Sequence, residues 1–158
     1  MIVLGIDPGT AITGYGVVRH TESGLECIEY GCIRTPKEEA HPARLLLLEK
    51  GLLRLLKAHA PDLVAVERLF FFRNLTTAMP VSEARGVILL SCARKRLPVC
   101  ELTPLQVKMT IGGYGRADKK QVQRMVQEIL KLPSLPKPDD AADGLGIAIA
   151  GGLAWKGG

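Results

Sequence analysis

Residues 1–10 read MIVLGIDPGT. The run Ile2 to Ile6 is apolar and short, and it stops at Asp7-Pro8-Gly9, a turn sequence. That pattern predicts a buried strand that ends on an acid. Downstream, Thr13 to Arg19 carries Tyr15, Val17 and Val18, and Cys27 to Ile33 alternates apolar with polar. Both predict strands, joined as a hairpin through the polar stretch Thr21–Gly24. Pro42 to Ala60 is Leu-rich with Arg44, Lys50, Arg54 and Lys57 interspersed, and predicts a helix. Leu63 to Val66 is a second short apolar run, and it too ends on an acid, Glu67. A helix from Ser82 to Arg96 and a strand from Val99 to Leu102 follow. Thr103-Pro104 is a helix start, with Thr as cap and Pro at the first helical position. The loop Gly112-Gly113-Tyr114-Gly115 precedes an amphipathic helix from Lys119 to Leu130, and after Pro133–Pro138 Asp139 is placed to cap a last helix. The order β-β-β-α-β-α-β-α-α-α predicts an α/β chain: a five-stranded mixed sheet flanked by helices on both faces.

The 158 residues suit a single domain, 1–158, large enough to bury a core without disulfides. Leu45 to Leu48 is cut by Glu49 and Lys50, and no stretch reaches the roughly 18 uncharged apolar residues of a membrane span. With an acid at position 7 and no basic leader, the N-terminus is not expected to be a signal peptide. Four cysteines (Cys27, Cys32, Cys92, Cys100) form no CxxC pair, and His20, His41 and His59 follow no ligand spacing. A structural zinc site is therefore not expected, and the cysteines are expected to be reduced, mostly buried thiols in a cytoplasmic protein.

The net charge of +5 is unevenly spread. Residues 1–60 balance seven Lys/Arg against seven Asp/Glu, whereas residues 68–137 carry thirteen basic side chains against four acids. A basic surface of this kind suits a polyanion, because phosphate neutralisation supplies most non-specific nucleic-acid affinity.

Asp7 and Glu67 each close an apolar run. If those strands lie side by side and parallel, both carboxylates reach the same sheet edge. At about 4 Å and an effective dielectric near 20, their repulsion costs roughly 4 kcal/mol, which a cation between them would offset. Asp140 and Asp143, three apart at a helix start, project from one face. Acids in a first helical turn also favour the helix dipole, so this pair alone has an ordinary explanation. Four carboxylates without His or Cys select a hard cation, Mg²⁺ or Mn²⁺. They suffice for two ions about 3.5–4 Å apart flanking a phosphodiester, the arrangement of metal-assisted hydrolysis. Directly after Glu67 comes Arg68-Leu69-Phe70-Phe71-Phe72-Arg73-Asn74, which holds all three Phe of the protein. Consecutive residues cannot all face inward. An exposed ring beside such a centre can stack on unpaired bases for about 1–3 kcal/mol each.

GIDPGTAITGYGVV, VERLFF with RN close behind, QVKMTIGGYGRADKKQVQRMV and PDDAADGLGIAIA together resemble the RuvC-type Holliday-junction resolvases over nearly the whole chain. The resemblance implies an RNase H-like fold and a homodimer that acts on four-way DNA junctions in DNA recombination and repair. Each subunit would nick one of two like-polarity strands, leaving 5′-phosphate and 3′-hydroxyl ends. It implies that Asp7, Glu67, Asp140 and Asp143 hold two Mg²⁺ ions per site, with Mn²⁺ as a substitute. Lys108 and Lys119 would approach phosphates, Lys119 near the scissile one. Phe70 and Phe71 would probe the opened junction, with Arg73, Asn74, Arg116 and Lys120 among the DNA contacts. The RuvA–RuvB branch-migration complex is the implied partner.

Three other readings stay open at this stage. Asp7-x-Gly9-Thr10 also resembles the phosphate loop of sugar kinases and actin-like proteins, but those enclose a nucleotide between two such domains. An RNase H-like nuclease that trims ribosomal RNA precursors shares the first acid and the late acids, yet fits the Phe run poorly. A silent junction-binding module would keep the basic surface without needing four acids. Dimerisation has one sequence hint, the apolar side of the Ser82 to Arg96 helix at Val87 and Leu90, which a core would explain equally well.

Overall fold

The computed structural model describes residues 1–68, 75–112 and 115–157, with Leu75 placed by its backbone only. Three strands come first: β1 (Ile2–Asp7), β2 (Ile12–Thr21) and β3 (Gly24–Arg34). Then α1 (His41–His59), β4 (Leu63–Glu67), α2 (Leu75–Arg94) and β5 (Val99–Leu102) alternate, and α3 (Pro104–Gly112), α4 (Lys119–Leu130) and α5 (Asp139–Ala154) complete the chain. The sheet order is β3-β2-β1-β4-β5. β1, β2 and β3 pair antiparallel as a meander, and β1–β4 and β4–β5 are parallel. The mixed five-stranded sheet expected above is the one observed.

Both faces are covered, which is why β1 and β4 read as continuous apolar runs. Leu4, Ile6, Val17, Val64 and Val66 pack on one face against Leu48, Leu52 and Leu56 of α1 and Ala84, Ile88 and Cys92 of α2. Val3, Val18, Leu63, Ala65 and Leu102 pack on the other against α3, α4 and α5. Each fully buried Leu or Ile contributes about 1.5–3 kcal/mol relative to exposure, so a one-residue slip in register is heavily disfavoured. This matters for the acids. Side chains alternate along a strand, so Val3, Gly5 and Asp7 share the α5 face, as do Leu63, Ala65 and Glu67.

α5 lies close to that face because β1 and β2 present glycines, Gly5, Gly14 and Gly16, beneath residues 140–148. A Cβ on Gly14 would sit 1.9 Å from the Asp140 carbonyl oxygen, and one on Gly5 would sit 2.2 Å from that of Gly144. The helix therefore rests backbone to backbone on β1 and β2.

Several elements differ from their expected form. α2 starts at Leu75, seven residues before Ser82, and runs through Pro80. Pro80 gives no N–H to the helix ladder, but Ala78 is buried in the same first turns and the helix continues. It stops at Arg94, ahead of Arg96, whose φ of 55° is left-handed. Asp139 is not the cap of α5. Pro138 takes that position without a side-chain bond, and Asp139 is the first helical residue, accepting from Nε2 of Gln123. Of the four cysteines, all free thiols, only Cys92 is buried, and the other three are half-buried in the sheet. Thr103 does cap α3, its Oγ1 accepting from the Gln106 N–H at 3.1 Å.

Candidate active site

β1 and β4 are parallel, with Ile6 opposite Val66. Asp7 and Glu67 therefore stand next to each other at the same end of adjacent strands, on the α5 face. β2 returns alongside with Gly14 opposite Asp7, and its missing side chain lets the first turns of α5 settle there. Asp140 and Asp143 are carried into the same space. One carboxylate oxygen each from Asp7, Asp140 and Asp143 lies within 4.8 Å of the others. Glu67 hydrogen-bonds Asp7 from the β4 side.

The turn after Asp7 is braced from below. Thr13 Oγ1 donates to the Gly9 carbonyl at 2.8 Å, and Thr35 Oγ1 donates to the Thr10 carbonyl at 2.7 Å. Nε of Arg44 donates to Thr35 Oγ1 at 3.0 Å. None of these residues stands out in the sequence; a Thr in or just beyond a strand is ordinary.

Asp7, Glu67 and Asp143 line a cleft of about 280 Å³ together with Lys108, Lys119, Pro104, Val107, Val122 and Ile147. Lys108 comes from α3 and Lys119 opens α4. A capping box between Asp118 and Gln121 fixes that helix start, and hence Lys119. A lysine at the positive end of a helix opposes the dipole. Its electrostatic partners are across the cleft, in Glu67 and Asp143. Arg116 and Lys120 are exposed and do not line the cleft. Phe70, Phe71, Arg73 and Asn74 lie outside the described residues, so the expectation for them rests on the sequence.

The carboxylates disturb one another. Burial, then Glu67, Asp143 and Asp140, push the Asp7 carboxyl well above its ordinary value of 3.8. Burial and Asp143 raise Glu67 from 4.5 to about 7, against the lowering effects of its bond with Asp7 and of Lys108 and Lys119. Burial also raises Asp143, although Lys119 draws it down. Acids that hold protons this tightly are short of positive charge. Among the described residues the cluster contains carboxylates only, a donor set that fits a hard divalent cation.

The sign of the pH effect follows. A raised Glu67 stabilises the metal-free fold fully below the ordinary glutamate value of 4.5, and that contribution is lost as pH rises through about 7. Divalent-ion binding should go the other way, weakening about tenfold per pH unit below 7 for each linked proton. Calorimetric titration with Mn²⁺ at pH 6 and pH 8, in buffers of different ionisation heat, measures both affinity and proton release. Affinity independent of pH would remove Glu67 from the ion site.

The sequence matches the family profile described as Crossover junction endodeoxyribonuclease RuvC over residues 3–151. The chain belongs to the RuvC family. Crossover junction endodeoxyribonuclease RuvC of Desulfitobacterium hafniense is 54% identical over 149 residues, covering 94% of this chain and 90% of the relative. The solved structure of Thermus thermophilus RuvC superposes with a TM-score of 0.87 at 34% identity, covering 95% of this chain and 92% of that one. T. thermophilus RuvC is also known in complex with Holliday junction substrate, and this chain matches that structure with a TM-score of 0.85 at 32% identity, over 95% and 92% of the two chains. The fold is RNase H-like, as the resemblance implied. Among the described residues no helix of this RuvC protein is long and apolar enough to cross a membrane.

Proposed function

We propose that this chain, acting as a single domain over residues 1–158, resolves Holliday junctions by hydrolysing one phosphodiester in each of two like-polarity strands. The products would be symmetric nicks with 5′-phosphate and 3′-hydroxyl ends, in the service of DNA recombination and repair. One observation carries the reading: Asp7, Glu67 and Asp143 line a cleft that two lysines border, and Asp140 joins Asp7 and Asp143 with carboxylate oxygens within 4.8 Å of one another. Asp7, Glu67, Asp140 and Asp143 would hold two Mg²⁺ ions, or Mn²⁺ in their place. Bound there, such ions supply an activated water and a stabilised leaving 3′ oxygen. Lys119 faces Glu67 and Asp143 and offsets charge gathering on the scissile phosphate. Lys108, from the neighbouring helix, holds the adjoining backbone. Arg116 and Lys120, both exposed, bind further phosphates. Phe70, Phe71, Arg73 and Asn74 lie within seven residues of Glu67 in sequence and are assigned to the junction centre. We place the protein in the cytoplasm, working with the RuvA–RuvB branch-migration complex.

The test uses a labelled mobile four-way junction and a linear duplex of the same sequence, with and without Mg²⁺. Paired symmetric nicks in the junction alone, dependent on metal, support the reading. Tight binding without cuts on junctions of varied sequence would favour a binding module.

Two strands need two sites, so the enzyme is proposed to work as a homodimer. Support comes from α2, whose outer face bears Met79 and Leu90, 67% and 50% exposed. Gly86 lies between them on that stripe, and a Cβ there would meet nothing within 4 Å. Val87 is half-buried, and Glu83, 50% exposed and paired with His41, lies on the same face between Met79 and Gly86. Gly86→Arg should leave the fold intact, since Arg favours helix over Gly by up to about 1 kcal/mol. It should yield monomers by sedimentation, with weak single nicking and no paired cleavage. Dimers of unchanged affinity would place the interface elsewhere.

A further inference from the structure

We propose that Arg85, held by Glu101, is a positioning residue for Glu67 and acts through its main chain rather than on DNA. The inference deepens the nuclease reading and rests on it. Glu67 is the final residue of β4, where the regular ladder ends. Its carbonyl accepts a hydrogen bond from Nε of Arg85 on α2, at 3.4 Å. The guanidinium of Arg85 also pairs with Oε1 of Glu101 on β5. The other oxygen of Glu101 faces Arg68, whose guanidinium lies 3.5 Å away. Arg68 is the residue after Glu67, and its N–H donates to the Leu102 carbonyl at 2.7 Å. One carboxylate thus holds two guanidiniums, one on the Glu67 carbonyl and one on the next residue.

This brace has a purpose a strand end does not ordinarily have. The buried Glu67 side chain bonds Asp7 and faces the like charge of Asp143, so its backbone must be fixed from the opposite direction. α2 lies on the far face of the sheet from α5, and Arg85 reaches the strand end from there. A direct role on DNA fits poorly. The Arg85 side chain is only 20% exposed and already paired with Glu101. Arg also suits the task where Lys does not, because its planar fork can serve a carbonyl and a carboxylate at once.

The experiment compares Arg85→Gln, Arg85→Lys and Glu101→Gln with the parent chain. Mn²⁺ binding is measured calorimetrically on protein without DNA, junction affinity is measured without metal, and cleavage is measured in single turnover across a Mn²⁺ series. Arg85→Gln is expected to weaken Mn²⁺ binding about 10–100-fold, the range for losing a group that orients a ligand. The metal midpoint for cleavage should rise in parallel, while junction affinity stays within about twofold. Arg85→Lys should recover thermal stability but not ion affinity. Glu101→Gln should shift ion binding in the same direction by a smaller factor, and it carries the test if Arg85→Gln fails to fold. Parent-like Mn²⁺ affinity in Arg85→Gln, or full rescue by Lys, overturns the proposal. So does a loss of junction affinity as large as the loss of cleavage. If the parent chain itself cuts no junction, the nuclease reading fails, and the DNA-free titration still decides whether Arg85 positions Glu67.

Discussion

An Asp7→Asn variant is expected to cut four-way junctions at least about a thousandfold more slowly than the parent chain while binding them as tightly. Lewis-acid catalysis is worth several kcal/mol, and about 1.4 kcal/mol is a factor of ten in rate. Asp7 is central to the cluster, touching Glu67 on one side and sharing the triplet with Asp140 and Asp143 on the other. Asn keeps the size and can still donate to Glu67, but it carries no charge for an ion. Junction affinity should hold because the phosphate-facing cations are untouched. The same change should also raise the melting temperature in metal-free buffer. Asp7 is buried beside three like charges that push its carboxyl up, so its ionised form opposes folding and Asn removes that opposition. The gain should be larger at pH 8 than at pH 5.5, since a carboxyl whose value is raised by burial and like charges opposes folding more as pH rises. Calorimetry at both pH values with a single-turnover assay checks all three parts. A variant that loses stability, or that cuts within tenfold of the parent, would show that Asp7 serves as a turn residue.

Gly14→Val should damage the protein more broadly. The new Cβ would lie 1.9 Å from the Asp140 carbonyl oxygen and 2.3 Å from its carbon. Both are backbone atoms, so no side chain can move aside, and α5 must shift away from β2. Overpacking costs about 1–3 kcal/mol, and here the upper end or more is expected. For a domain of this size that lowers the melting temperature by about 6–12 °C. Activity should fall further than stability explains. Asp140 and Asp143 ride on the displaced helix, and a shift of about 1 Å can cost a hundredfold. The check is turnover measured well below the variant's own melting point, where the chain is folded. Normal turnover in a destabilised chain would mean that the acids tolerate movement of α5. An unchanged melting temperature would mean that the helix does not sit this close.

The two predictions draw on features that differ in how openly the sequence carries them. Asp7 and Glu67 announce themselves, because an apolar run that stops on an acid is visible without any tertiary information. Their meeting depended on β1 and β4 being parallel neighbours, which no local pattern states and which the order of strands and helices only made reasonable. Gly14 was harder to read. Glycine at alternate positions, Gly14 and Gly16, places both on one strand face, yet isolated glycines also mark bulges and weak strands. Only the small-residue run of α5 identifies them as a seat. α2 begins ahead of the expected Ser82 and runs through Pro80, a residue that locally disfavours a helix interior, with Ala78 buried in its first turns. The Arg85–Glu101 pair had no signal at all. Its members lie sixteen residues apart on a helix and a strand, and a charged residue on either is commonplace.

α5 is at once the most deeply buried helix of the chain and the carrier of two of the four acids, with every residue from Gly144 to Gly151 buried. Core and cutting edge are therefore one object. A chain that is still folding, or one damaged enough to release this helix, keeps Asp7 and Glu67 but has Asp140 and Asp143 elsewhere. On the proposed chemistry it is harmless to DNA. Competence to cut then requires that the core around α5 be in place, a built-in interlock between folding and cleavage.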